Sequence, residues 1–273
     1  MSKISIKDMA RALNTSTAAI SYVLNGRAKE MRISDSLAKK ILKYAKENNY
    51  SPSALSKSLR TGRTDIICLM VEDIAESFFA GIAARIAELA RPLGQKVVYM
   101  STDNDTEKTR ELIRDFRRQK VDGFIISPPV GIDKDIRELG KDEIPVVIFD
   151  RLLENTEAGY VGVDNEAGAY EAVMHLHEQQ FRHIAFITLE SAQSQVSERL
   201  AGYKRAVQKM RSPALVKKIE YSEKYTAEAV GKIAAFLQQK PEIDAVFFAT
   251  SYLAISGLEA LQQLGRTIGR DIG

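Results

Sequence analysis

The sequence predicts an α/β protein, with parallel sheets covered by helices on both faces, carried behind a small all-helical head. Three observations predict it. From Asp65 onward, short apolar runs alternate with helical segments, a pattern that closes as parallel sheets with helical crossovers. Before residue 50 there is no strand pattern, only three helical periods with start signals. The charge also changes sign between the two parts. Residues 1–63 carry 13 Lys and Arg against 4 acids, net +9, so the total of +3 leaves −6 on the remainder.

In the head, Ser5 and Asp8 stand at capping-box spacing, and Ile6, Met9, Ala10 and Leu13 give the first helix one apolar face. Ser16 caps a second helix that runs to Asn25, with Ile20, Val23 and Leu24 inward. Ala10 is small where the two helices must cross. Two short helices joined by a tight turn form a helix-turn-helix, whose second helix enters a major groove. A third helix starts at Ser34 or Asp35. Leu37, Ile41, Leu42 and Ala45 are expected to face inward, with Lys39, Lys40, Lys43 and Lys46 outward. A plain helical bundle with solubilising charge is the alternative, but it leaves the reversal of sign unexplained. A basic head on an acidic body suits a nucleic-acid binder.

Residues 51–63 follow as a hinge or linker. Pro52 suits a helix start and Gly62 a stop. The residues between could form two turns, too short and too serine-rich to be stable alone. They fit either a helix that forms on a partner or an ordinary linker.

The body opens with Ile66–Val71, an apolar run suited to a strand buried on both faces. Further strands are expected at 96–100, 123–127, 145–149, 184–187, 218–221 and 245–248, with helices between them. A break near Val161-Gly162-Val163 suggests two lobes, residues 64–162 and 163–273. A ligand would then be held at the carboxyl ends of the strands.

Other function classes are excluded by what the sequence lacks. Cys68 is the lone cysteine, inside an apolar run, so it reads as a core thiol. His175 and His177, two apart on a helix, make a poor metal pair, and His183 stands apart. No phosphate-cradling loop, zinc spacing or nucleophile elbow occurs. We therefore expect no catalysis, no metal and no cofactor. No apolar run reaches membrane length, and the N-terminus carries no apolar signal segment, so a cytoplasmic location is expected.

Taken together, these residues resemble the LacI/GalR family of bacterial transcriptional regulators. Ile6-Lys7-Asp8-Met9-Ala10, Ser16-Thr17-Ala18-Ala19-Ile20-Ser21 and Val23-Leu24-Asn25-Gly26 carry the likeness in the head. Asn49-Tyr50-Ser51-Pro52 and Lys57-Ser58-Leu59-Arg60-Thr61-Gly62 carry it in the hinge. In the body it rests on Ser77-Phe78-Phe79-Ala80, Val121-Asp122-Gly123, Val163-Asp164-Asn165 and Arg199-Leu200-Ala201-Gly202-Tyr203. The resemblance covers essentially the whole chain.

It implies a helix-turn-helix headpiece (1–50), a hinge helix (51–63) and a two-lobed core like a type I periplasmic sugar-binding protein, with parallel sheets. Such a protein binds a palindromic DNA operator as a homodimer. It answers to a small effector between its lobes, a sugar or sugar phosphate by family expectation, with a purine possible. The DNA-binding residues so implied are Ser5, Ser16, Thr17, Ala18, Ser21, Tyr22 and Asn25 in the head. In the hinge they are Ser53, Ala54 and Lys57 along the minor groove, and Leu59 as the wedge between base steps. Phe78 and Phe79 would be apolar walls for the effector. Ser127, Asp150 and Arg199 would be polar anchors, Tyr225 an aromatic platform, and Thr250 a further contact.

The sequence departs from the family in several places. Thr17 and Ala18 are short, which favours contact with a thymine methyl over bidentate hydrogen bonds. Tyr22 replaces a common arginine, and Ser53 and Ser56 replace a usual asparagine and alanine. The loop at 27–33 is longer than usual and brings Lys29 and Arg32 toward phosphates. The chain ends at Gly273, where the family enters its next strand, so the resemblance implies a second lobe that is incomplete here. A sugar-binding protein without DNA function is the rival reading. The basic head and the missing signal segment argue against it.

Overall fold

The computed structural model describes residues 4–50, 58 and 61–273. It divides into two compact units, 1–64 and 65–273. The hinge residues Ser53, Ala54, Lys57 and Leu59 lie outside the described residues.

The first unit holds three helices: α1 (Ile6–Ala12), α2 (Thr17–Leu24) and α3 (Asp35–Glu47). Each starts on a serine whose hydroxyl accepts a backbone N–H: Ser5 from Asp8, Ser16 from Ala19 and Ser34 from Leu37. At α1 the cap is reciprocal, because the Asp8 carboxylate accepts the Ser5 N–H at 3.0 Å. Such caps contribute about 1 kcal/mol each, which matters in a unit with so small a core. That core centres on Met9, Ile20 and Ile41, one from each helix, all fully buried. Leu42 does not join it. It is 52% exposed, because Ile41 and Ala45 set the buried stripe and the next position turns about a quarter of the way round the helix.

The second unit holds two parallel sheets. The first takes β1 (Ile66–Val71), β2 (Lys96–Ser101), β3 (Gly123–Ile126), β4 (Val146–Phe149) and β5 (Gly159–Val161) in the order β2-β1-β3-β4-β5. Its helices are α4 (Ser77–Ala90), α5 (Thr106–Arg118) and α6 (Asp133–Lys141). The second sheet takes β6 (Ile184–Glu190), β7 (Leu215–Glu220) and β8 (Ala245–Phe248) in the order β7-β6-β8. It is flanked by α7 (Asn165–Glu178), α8 (Ser194–Met210), α9 (Ala227–Gln239) and α10 (Ser251–Gln263).

β5 has no counterpart in the sequence-based expectation. It is three residues long, at the sheet edge, and every residue in it is exposed, so no burial pattern marks it in the sequence. β7 also starts earlier than expected, at Leu215. Its Leu215 and Ile219 are buried while Lys217 and Lys218 lie between them.

One interior strand of each sheet, β1 and β6, is buried on both faces, and its period of two divides the core. In β1, Cys68 and Met70 pack with Ile113, Phe116 and Ile136 of α5 and α6, while Leu69 and Val71 pack with Phe79 and Ala83 of α4. Burial pushes the Cys68 thiol up to about 12, so it is protonated and inert. In β6, Ile184 and Phe186 face α7 and α8, while Ala185, Ile187 and Leu189 face α9 and α10. The Phe186 ring stacks on Tyr203 at 5.0 Å. The Tyr203 hydroxyl donates to the Ile184 carbonyl at 3.0 Å and accepts the Leu215 N–H at 2.8 Å, tying β7 to β6. Among the described residues no helix is long and apolar enough to cross a membrane.

Candidate functional site

Two candidate sites follow from this fold, one in each unit. In the first unit, burying Ile20 and Val23 fixes the rotation of α2 and turns Thr17 and Ala18 fully outward, with Asn25 just beyond its end. Ser21 and Tyr22 are half-buried on the same side. The Asn25 side chain donates to the Ser21 carbonyl at 2.6 Å, which fastens the last turn and holds Asn25 beside this face. Thus Ser16, Thr17, Ala18, Ser21, Tyr22 and Asn25 form one contiguous surface. Ser5 is occupied in its cap and stands at the start of α1, not on that helix.

The loop after α2 has structure of its own. Arg27 and Glu30 form a two-pronged ion pair at 2.5 and 2.8 Å, and the Arg27 guanidinium lies 5.7 Å from the centre of the Tyr22 ring. Lys29 and Arg32 stay exposed, Arg32 with a left-handed backbone at φ 53°. Arg27 is therefore spent on the loop, which leaves Lys29 and Arg32 as its outward cations.

The second unit has a cleft of about 270 Å³ between its two sheets, at the carboxyl ends of their strands. Of the residues expected to hold an effector, Phe78, Phe79, Asp150, Arg199 and Thr250 line it. Ser127 and Tyr225 do not. Ser127 is fully buried, and its hydroxyl lacks a hydrogen-bond partner of good geometry although Asp150 lies beside it. Tyr225 is half exposed, with its ring 5.7 Å from that of Tyr252 and its hydroxyl donating to Glu76. It touches the cleft through those two lining residues.

Arg199 is oriented by neutral groups. Its Nε donates to Asn165 Oδ1 at 2.9 Å and its guanidinium to the Ala249 carbonyl at 2.6 Å. Asn165 is itself buried and fixed by the Val163 carbonyl and Glu198. No ion pair between Arg199 and an acid occurs among the described residues, so its charge faces the cleft. Burial raises the Asp150 carboxyl above the ordinary range, while Arg151 and Arg199 pull it back. Asp150 and Tyr225 both have left-handed backbones, at φ 67° and 64°. For a tyrosine that conformation is costly, and such strain concentrates at functional sites.

Several lining residues are not among those singled out from the sequence: Glu72, Glu76, Arg151, Gln193, Gln195, Phe248 and Tyr252. A signal existed. Glu72 directly follows β1, Arg151 follows β4 after Asp150, and Gln193 closely follows β6. They are among the first polar residues past the carboxyl ends of the strands, where open parallel sheets bind ligands.

Comparison with known proteins agrees with both units. A family model described as a periplasmic binding protein domain matches residues 67–272. The chain is 30% identical over 267 residues to the ribose operon repressor of Halalkalibacterium halodurans, covering 98% of this chain and 78% of that protein. It is 26% identical to catabolite control protein A of Priestia megaterium, covering 98% and 80%. In fold it is similar to the Lac repressor dimer solved on its operator with an anti-inducer, with a TM-score of 0.84 at 20% identity over 99% of this chain and 81% of that one. A LacI family regulator from Corynebacterium glutamicum matches with a TM-score of 0.70 at 22% identity, covering 76% and 79%. By its head, its two parallel sheets and its likeness to these repressors along nearly all its length, the chain belongs to the LacI/GalR family of transcriptional regulators.

Proposed function

We propose that this protein is a cytoplasmic, sequence-specific transcriptional repressor, not an enzyme, which binds a palindromic operator as a homodimer and answers to a small effector in its cleft. The observation that carries this reading is the outward face of α2, Ser16, Thr17, Ala18 and Ser21, on a head of net charge +9. A helix presenting short polar and methyl-bearing side chains can lie flush in a major groove and read base edges. Lys29 and Arg32 add phosphate contacts from the loop, and Asn25 sits near the backbone. In the hinge, Leu59 is assigned the minor-groove wedge, with Ser53, Ala54 and Lys57 alongside it.

The cleft is suited to a polyhydroxylated effector. Phe78 and Phe79 offer apolar faces, Asp150 accepts hydroxyl protons, and Arg199 and Thr250 supply donors. The sugar-related repressors among its relatives support a carbohydrate effector.

Selection of bound sequences from a random duplex library, followed by binding measurements at two salt concentrations, tests the reading. We expect enrichment of one palindrome and steep weakening with salt. Failure to enrich any sequence, with the protein folded and a sugar panel present, would overturn it.

A further inference from the structure

Three cations stand in or beside the cleft: Arg151 and Arg199 in its wall, and Lys224 behind it. Their availability decides what charge a ligand can carry. Arg151 is 4% exposed overall and is already engaged. Its guanidinium pairs with Glu72 and donates to Asn104 Oδ1 at 2.7 Å, while its Nε lies 3.6 Å from Asp150, within ion-pair range but without a hydrogen bond. Lys224 donates to Glu72 Oε1 at 2.9 Å and sits 4.3 Å from the centre of the Tyr221 ring. The Tyr221 hydroxyl donates to the same carboxylate oxygen at 2.7 Å. One buried carboxylate, with 4% of its side chain exposed, therefore engages two of the three cations. With Asp150 and Glu76 also present, three carboxylates balance the three cations, and only Arg199 is left outside an ion pair.

From this we infer that Glu72 determines the charge specificity of the cleft: it commits Arg151 and Lys224 to itself, so that the cleft takes an uncharged polyol and rejects its phosphate ester. The inference rests on reading the cleft as the effector site, and it selects between the two ligand classes which that reading leaves open. A phosphate dianion brought into the cleft would meet as many carboxylates as cations, with only Arg199 not already held by a carboxylate. Without the Glu72 charge, the buried Arg151 and the partly buried Lys224 both lose their shared anion. An unpaired buried charge is costly, and a dianion supplies the missing partner. Because Glu72 directly follows β1 while Tyr221 and Lys224 follow β7, the same carboxylate also joins the two lobes.

The test uses inorganic phosphate as the probe and a reporter in the cleft itself. The chain has no tryptophan, and Phe78, half exposed in the cleft wall, is replaced by tryptophan in the full chain. Fluorescence of F78W then reports on the cleft and not on the basic head. We expect no saturable response to phosphate with Glu72 present, and a saturable one at least about tenfold tighter in the F78W/E72Q protein. Adding Arg151→Met should abolish the gain. A saturable response to phosphate with Glu72 present would overturn the inference, whether or not the E72Q protein folds. So would a folded E72Q protein that gains nothing. A panel of neutral sugars titrated by calorimetry into the protein that keeps Phe78 separates the two readings. Silence toward every sugar, with phosphate gained in E72Q, would sink the sugar-effector assignment and leave the role of Glu72 standing.

Discussion

A single carboxylate illustrates how far one residue's environment carries. Burial alone would raise Glu72, but Arg151, Tyr221 and Lys224 overcome it and hold the group below the ordinary carboxylate range. A carboxyl depressed in the folded state contributes stability that is present above its unfolded value and is lost as the pH falls through the folded one. The core should therefore lose stability on acidification below the ordinary Glu range, and Glu72→Gln should flatten that part of the profile. At neutral pH the substitution should cost about 3–5 kcal/mol, because it strands Arg151. Urea unfolding across a pH series checks both, and a parallel profile for the two proteins would refute the assignment.

On the DNA side, Thr17 supplies a methyl and a hydroxyl on the exposed face of α2. If the methyl does the reading, Thr17→Val should keep the affinity for the selected operator, while Thr17→Ser should lose about 1–3 kcal/mol. Replacing the contacted thymine by uracil should erase the difference between the two.

Among elements, α7 and α8 depend on one close approach. A Cβ at Gly202 would lie 2.2 Å from the Glu166 carbonyl oxygen and 3.0 Å from the Ala169 Cβ, so the crossing tolerates only glycine. Gly202→Ala must push the helices apart and should cost about 1–3 kcal/mol. Gly231 in α9 has open space around it, and Gly231→Ala should be neutral or stabilise by up to about 1 kcal/mol. Thermal unfolding of both variants should move in opposite directions.

These elements also indicate what a sequence can convey. The helix starts of the head are legible because Ser5, Ser16 and Ser34 act on residues three positions away. Strands β1 and β6 are legible because burial on both faces leaves a largely apolar run. β5 is not, since a three-residue edge strand buries nothing and is defined by its pairing with β4. Leu42 is misplaced by pattern alone because adjacent apolar residues on a helix leave its rotation undetermined until Met9 and Ile20 pack against Ile41. The cleft is half legible. Phe78, Asp150 and Arg199 stand where the family resemblance places effector contacts, whereas Glu72, Tyr221 and Lys224 form a site only through contacts some 150 residues apart in sequence.

Across the whole chain, the two units should respond to salt in different ways. The head carries net charge +9 and the remainder −6, so phosphate contacts and their counterion release belong to the head. Each phosphate neutralised contributes about −0.9 to the slope of log K against log salt. Lys29 and Arg32 are exposed and outside the Arg27–Glu30 pair, so each is free to take a phosphate. Lys29→Ala and Arg32→Ala should each make the slope shallower by about 1 while leaving the preferred sequence unchanged, since phosphate contacts position and base contacts specify. The cleft should behave otherwise. An uncharged ligand held by Asp150 and Arg199 releases no counterion, so its affinity should stay level over the salt range that weakens DNA binding. Anisotropy with the selected operator and calorimetry with the bound sugar, in the same buffers, measure the two responses together. A salt slope that both variants leave untouched would remove the loop at 27–33 from the DNA interface, and the charge of the head would then have to act through α3 and its four exposed lysines.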